Sequence, residues 1–168
     1  MAGQSALTGD SDYTVSLWAK TKATPVANGF PTMISIGSSQ TDSQIVQFRF
    51  VDKDCGKLLL GHWNGAGVFS DLPGPDDPSA WHHYVIMREG QRVGVWCDGV
   101  QLFNKTDMKL AIDLPPTVQI NIGWLAQSER YFCGDIDDVA VYSHSVGRTG
   151  VARLFGGEEP FASGSGER

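Results

Sequence analysis

Short runs in which β-branched and aromatic residues alternate with polar ones recur along this chain, each closed by Gly, Pro, Asp or Asn. Alternation with period two marks half-buried strands. The pattern predicts strands at Tyr13–Lys20, Thr32–Ser38, Gln44–Asp52, Lys57–Trp63, Trp81–Arg88, Arg92–Asp98, Val100–Asn104, Thr117–Gly123, Arg130–Cys133 and Asp135–Tyr142. Within Gln44–Asp52, Val46, Phe48 and Phe50 share one face and Gln47 and Arg49 the other. Within Thr117–Gly123, Val118, Ile120 and Ile122 oppose Thr117, Gln119 and Asn121. Asp71–Ser79 is dense in Pro, Gly and Asp and reads as a loop, because Pro cannot donate to a central ladder. Asp98-Gly99 reads as a hairpin turn needing positive φ. The one helical pattern is Gly147–Phe155, where Val151, Leu154 and Phe155 share a face and Gly156-Gly157 ends the run.

Many short strands at spacings near ten residues argue for a sandwich or a barrel. With no helix between strands, a parallel α/β sheet is excluded. The expected core holds Val15 or Leu17, Phe48, Val85, Val95, Ile120 and Ile122, with Trp18, Trp96 and Tyr142 as core aromatics and Trp81 plugging an edge. Residues 1–160 make one domain, and 161–168 have the composition of a flexible linker.

Composition narrows the partners. Hydrophobic residues are 41% and charged residues 19% of the 168, a globular balance. The net charge is −6 and the 13 basic residues are scattered, which argues against nucleic acid. No apolar run approaches the roughly 18–20 residues of a membrane-spanning helix, so membrane insertion is not expected. Of the three cysteines, Cys97 and Cys133 could form one bridge, while three free thiols is the alternative.

Three stretches in order carry a family resemblance. They are Asp12-Tyr13-Thr14-Val15-Ser16-Leu17-Trp18-Ala19-Lys20, then Trp81-His82-His83-Tyr84-Val85 with Val95-Trp96-Cys97-Asp98-Gly99, then Gly134-Asp135-Ile136-Asp137-Asp138-Val139-Ala140-Val141-Tyr142. Together they resemble the laminin-G-like members of the concanavalin A-like lectin and glucanase superfamily. The resemblance implies an all-β, two-sheet antiparallel jelly-roll sandwich with one short C-terminal helix. It implies a binding module of a secreted or cell-surface protein. Met1 to Gly9 hold neither the basic start nor the apolar core of a secretion signal. It also implies a structural Ca²⁺ held by Asp137 of the closing motif, with Asp12 or Asp10 in reach.

Catalysis has little support in the residues. Glucanases of this superfamily carry Glu-x-Asp-x-(x)-Glu on one strand; here Asp135-Ile136-Asp137 lacks the third acid and falls on the closing strand. His82 and His83 are adjacent on a strand, point to opposite faces, and cannot chelate one ion together. Binding is better provided for. Sugar sites pair an exposed aromatic face with amides and carboxylates. Trp63 and Asn64, on the Gly-rich run Gly61–Gly67, make one such set. Trp124, with Gln119 and Asn121 on its strand, makes a second. Either Trp could instead fold back on the sandwich. The reading is a non-catalytic module that binds a glycan, or alternatively an extracellular protein.

Overall fold

The computed structural model describes residues 7, 11–22, 30–37, 45–51, 55–62, 67–105, 114, 118–125 and 130–161. Ten strands and one helix follow in order: β1 Tyr13–Thr21, β2 Thr32–Gly37, β3 Ile45–Phe50, β4 Lys57–His62, β5 Gly67–Pro73, β6 His82–Glu89, β7 Arg92–Cys97, β8 Val100–Lys105, β9 Ile120–Ile122, β10 Gly134–Tyr142 and α1 Gly147–Phe155. They form two five-stranded sheets, β10-β1-β6-β7-β8 and β5-β4-β3-β2-β9. Every pairing within them is antiparallel. The two-sheet sandwich with one short helix is the architecture expected from the sequence.

Strand parity builds the core. Tyr13, Val15, Leu17 and Ala19 of β1 face inward with Tyr84 and Ile86 of β6, and meet Ile34, Ile36, Val46, Phe48, Phe50, Leu58 and Leu60 of the opposing sheet. Burying each such side chain contributes roughly 1.5–3 kcal/mol, so this inner layer dominates the stability. A smaller cluster lies outside the first sheet, where Val146 and Val151 lay α1 over Val85, Met87 and Trp96. Thr14 Oγ1 anchors the start of the helix: it donates to the His144 carbonyl at 2.9 Å and accepts from Val146 N at 3.2 Å. The turn at Asp98-Gly99 has φ of 50° and 75°, as its sequence requires.

Several expectations are corrected. Val85 lies beneath the helix and not between the sheets, because it pairs with Ser16 and Trp96 on the outer face. Trp96 belongs to the same outer cluster. Ile120 and Ile122 share the inward face of their partners Ile36 and Ile34, yet stand 43% and 55% exposed. They lie on β9, the edge strand of its sheet. Trp81 is 41% exposed, with the Lys20 ammonium 4.9 Å above its ring, and plugs nothing. Strand β5 arises where a glycine run and a loop were expected. It is an edge strand, where Pro73 is tolerated, and an irregular register between Leu58 and Leu60 of β4 accompanies positive φ at Asp71. The Arg130–Cys133 strand reduces to a bridge between Tyr131 and Trp124. None of Cys55, Cys97 and Cys133 is joined in a disulfide. Among the described residues no helix is long and apolar enough to cross a membrane.

The closeness of β10 to β1 gives a test. A Cβ on Gly134 would run into the Lys20 carbonyl oxygen and come within 2.9 Å of Thr21 Cα, both backbone atoms. Gly134→Ala should therefore cost roughly 1–3 kcal/mol, the range for overpacking. Gly56→Ala, with nothing within 4 Å of its Cβ, should stay within about 0.5 kcal/mol. Thermal melts of both variants check the contrast.

Candidate functional site

The inward turn of Phe48 and Phe50 sends Gln47 and Arg49 to the outer face of the second sheet. Register then lines up a polar row across four strands: Asn121 opposite Ser35, Ser35 opposite Gln47, and Gln47 opposite Gly61. Gly61 lets the Gln47 side chain lie flat, since a Cβ there would sit 2.9 Å from Gln47 Cγ and Nε2. Ser35, Gln47, Arg49 and Asn121 are all buried. Asn121 Nδ2 donates to Ser35 Oγ at 3.4 Å, and Ser35 Oγ donates to the Trp124 carbonyl at 2.9 Å.

The rest of the row is only partly satisfied: Gln47 Oε1 and the Nε and Nη1 of Arg49 are buried and have no hydrogen-bond partner among the described residues. Arg49 and Arg130 flank the Phe30 ring, their guanidinium carbons 4.4 and 4.8 Å from its centroid. Burial, and secondarily the charge of Arg130, lowers the Arg49 guanidinium to about 10. It remains charged at neutral pH. Among the described residues no carboxylate pairs with either arginine. Beside them Tyr131 stacks on Trp124, centroids 6.3 Å apart and planes 10° from parallel, with Tyr131 exposed and Trp124 half-buried. Tyr131 is therefore exposed and Arg130 and Trp124 partly so, while the Gln47 and Arg49 atoms without a partner among the described residues lie buried beneath the surface.

Of the residues expected from sequence, Asn121 and Trp124 are brought together through Ser35, with Asn121 on the outer face but buried. Gln119 is exposed, but it precedes Trp124 by five residues, about 16 Å along an extended strand. Trp63 and Asn64 lie outside the described residues. Arg49, Gln47, Arg130, Tyr131 and Phe30 were not singled out. The alternation that put Gln47 and Arg49 opposite Phe48 was their signal.

Of the implied calcium ligands, Asp137 and Asp12 are not brought together. Antiparallel register sets Asp137 opposite Trp18, whereas Asp12 precedes β1 and is six residues away, about 20 Å. Asp12 Oδ1 instead accepts from Gly90 N at 2.6 Å, and Asp137 Oδ1 from Asp138 N at 2.9 Å. Asp10 is outside the described residues. Asp135 is paired with Lys20 at 3.3 Å.

A second concave feature lies on the outer face of the first sheet. The chain beyond α1 returns over β1 and β10 and encloses a cavity of about 410 Å³. Its floor includes Ser16, Trp18 and His83, and its walls carry Asp138, Glu158 and Glu159, with no Lys or Arg among the described lining residues. Irregular register between β1 and β10, with Asp138 at φ 47°, accompanies the placing of that acid in the wall. Glu158 pairs with Arg153 at 3.4 Å, and Arg153 Nε donates to the Glu159 carbonyl at 2.6 Å, which ties the returning chain to the helix. Trp18, expected in the core, is half-buried here under Phe155, with centroids 6.0 Å apart. Burial holds the His83 imidazole below its ordinary value, against the pull of Asp98, so it is neutral at pH 7. Its Nε2 lies 2.8 Å from Ser16 Oγ, and its Nδ1 is buried without a partner among the described residues.

A family model described as the concanavalin A-like lectin/glucanases superfamily, of laminin G type, matches residues 2–152. The chain belongs to that family. No curated protein matches it. Solved structures similar to it include a heptameric SAP-like pentraxin from Limulus polyphemus, 18% identical, TM-score 0.65, covering 89% of this chain and 71% of that one. Another is the CBM40 of a Ruminococcus gnavus IT-sialidase bound to α2,3 sialyllactose, 12% identical, TM-score 0.65, covering 86% and 83%. A third is domain 4 of a GH43 extracellular arabinanase from Geobacillus stearothermophilus in complex with arabinotriose, 18% identical, TM-score 0.62, covering 88% and 68%. These likenesses establish the fold, one shared largely by binding modules and in part by domains of glycoside hydrolases.

The Ser16–His83 contact can be tested separately from any ligand. Ser16→Ala would leave both ring nitrogens of a buried imidazole without a partner, at a cost of roughly 1–3 kcal/mol. Urea denaturation should show a lower midpoint with an unchanged slope.

Proposed function

We propose that this chain is a non-catalytic glycan-binding module, that its site is the outer face of the second sheet, and that the glycan carries negative charge. The observation behind this reading is Arg49, a buried guanidinium with two nitrogens that, like the neighbouring Gln47 Oε1, have no partner among the described residues. Leaving a buried donor unmade costs about 1–3 kcal/mol, and more when it is charged. A sugar carboxylate or sulfate would accept from Arg49 in a charge-assisted pair and would relieve its repulsion with Arg130. A sugar hydroxyl would donate to Gln47, while the Trp124–Tyr131 pair takes the apolar face of a ring. The glycan complexes of the structurally similar sialidase and arabinanase modules support the class of ligand. Trp63 and Asn64, which follow β4 directly in sequence, and the exposed Gln119 are assigned as outer contributors. An extracellular or cell-surface setting suits such a ligand.

One observation favours a second reading, a protein-interaction module. The acidic cavity by Trp18 has the charge to receive a basic side chain of a protein partner, and it lies on the opposite face of the sandwich.

A glycan array of neutral, sialylated and uronic-acid oligosaccharides distinguishes the two. Retention on acidic glycans is expected. Tyr131→Ala should weaken it about 2- to 12-fold, the equivalent of 0.5–1.5 kcal/mol of stacking. Arg130→Gln should erase the preference for charge, and both variants should melt near the parent. Binding unaffected by either change, or absent for every glycan, would sink the glycan reading. Loss of a protein partner on Asp138→Asn with Glu159→Gln would support the other. No reducing sugar should appear from β-glucans.

A further inference from the structure

His82 opens β6, and Asp98 opens the turn after β7, so the antiparallel hairpin brings them together at one end of the first sheet. His82 Nδ1 lies 2.7 Å from Asp98 Oδ2, and His82 Nε2 lies 2.8 Å from the Asp77 carbonyl oxygen. A carbonyl oxygen only accepts, so Nε2 carries the hydrogen and Nδ1 is the atom turned to the carboxylate. Two lone-pair atoms cannot sit 2.7 Å apart without a positive species between them. With nothing bound, that species is a proton shared along the 2.7 Å contact.

The surroundings fit a metal ion in that place. Cys97 supplies a third donor, and the ligand atoms of His82, Cys97 and Asp98 all lie within 4.8 Å of one another. The site is already oriented. The bond from Nε2 to a backbone carbonyl is the outer contact that fixes a metal-bound imidazole in its tautomer. Asp98 Oδ1 accepts from His83 N at 2.9 Å, which holds the carboxylate with Oδ2 turned to His82 Nδ1. The His82 and Asp98 side chains are 16% and 37% exposed, so an ion can reach them from solvent.

We propose that His82 Nδ1, Cys97 Sγ and Asp98 Oδ2 form a zinc site, with water completing a tetrahedron. Nitrogen, sulfur and oxygen donors in a tetrahedral set suit Zn²⁺ and not Ca²⁺, which takes six to eight oxygens. The site is separate from the proposed glycan face, which lies on the other sheet. Binding replaces the proton between His82 and Asp98 and the proton of the Cys97 thiol, and both leave to solvent. The ion then ties β6 to the β7–β8 turn.

The test uses the whole chain, freed of metal and titrated with Co²⁺ as a spectroscopic stand-in. One equivalent should bring up the thiolate-to-cobalt charge-transfer band and the visible bands of tetrahedral cobalt, and Zn²⁺ should bleach both. Cys97→Ser should abolish the charge-transfer band, whereas Cys133→Ser should leave it. Asp98→Asn, which an Asn tolerates at positive φ, should weaken cobalt binding at least tenfold while the protein still melts cooperatively. Zn²⁺ should also raise the parent's melting temperature, since the ion binds only the folded chain. No charge-transfer band, or one that survives Cys97→Ser and vanishes with Cys133→Ser, would overturn the proposal.

Discussion

Tyr84 of β6 meets both Phe48 and Phe50 of β3 edge-on, with centroids 5.9 and 6.3 Å apart. This contact joins the two sheets at the centre of the core, and the rest of the molecule is arranged around it. Because successive strand residues point to opposite faces, fixing Phe48 and Phe50 inward fixes Gln47 and Arg49 outward. In the same way Tyr84 inward places His83 and Val85 outward, beneath α1. A register slip of one residue would bury Arg49 in the hydrophobic layer, which no pairing there could offset. The core thus specifies both faces of the sandwich.

The two outer faces carry opposite electrostatics. On the second sheet, Arg49 and Arg130 stand around Phe30 with no acidic partner among the described residues. On the first, Asp138, Glu158 and Glu159 surround a cavity with no Lys or Arg among the described lining residues. In a chain with net charge −6, the arginine face is a local exception to the overall sign. A buried guanidinium is expensive to keep unpaired. Its presence there is the strongest physical indication of where a charged guest would sit.

Most of the fold was legible in the sequence, because period-two alternation and turn chemistry act locally. Helix α1 falls on its predicted residues, Gly147–Phe155, and the Asp98-Gly99 turn has the backbone its residues require. What local pattern could not supply was position within a sheet. Ile120 and Ile122 look like core residues and are exposed because β9 is an edge. Trp18 looks like a core aromatic and faces outward because its parity matches Ser16 and not Leu17. The site was half legible. Trp124 and Asn121 were read from sequence, while Arg49 was visible only as a polar residue on the right face. Its burial depends on tertiary structure. The pairing of Asp137 with Asp12 failed for the same reason: that two strands are neighbours says nothing of their register.

The central claim is that Arg49 and the Trp124–Tyr131 platform receive an acidic sugar. Titrating the isotope-labelled chain with sialyllactose or a galacturonic acid trisaccharide, while following side-chain NMR signals, tests it most directly. The largest shifts are expected at the Arg49 Nε–H and the Trp124 indole, with the Trp18 indole unmoved. Shifts centred on Trp18 and His83, with Arg49 silent, would contradict it.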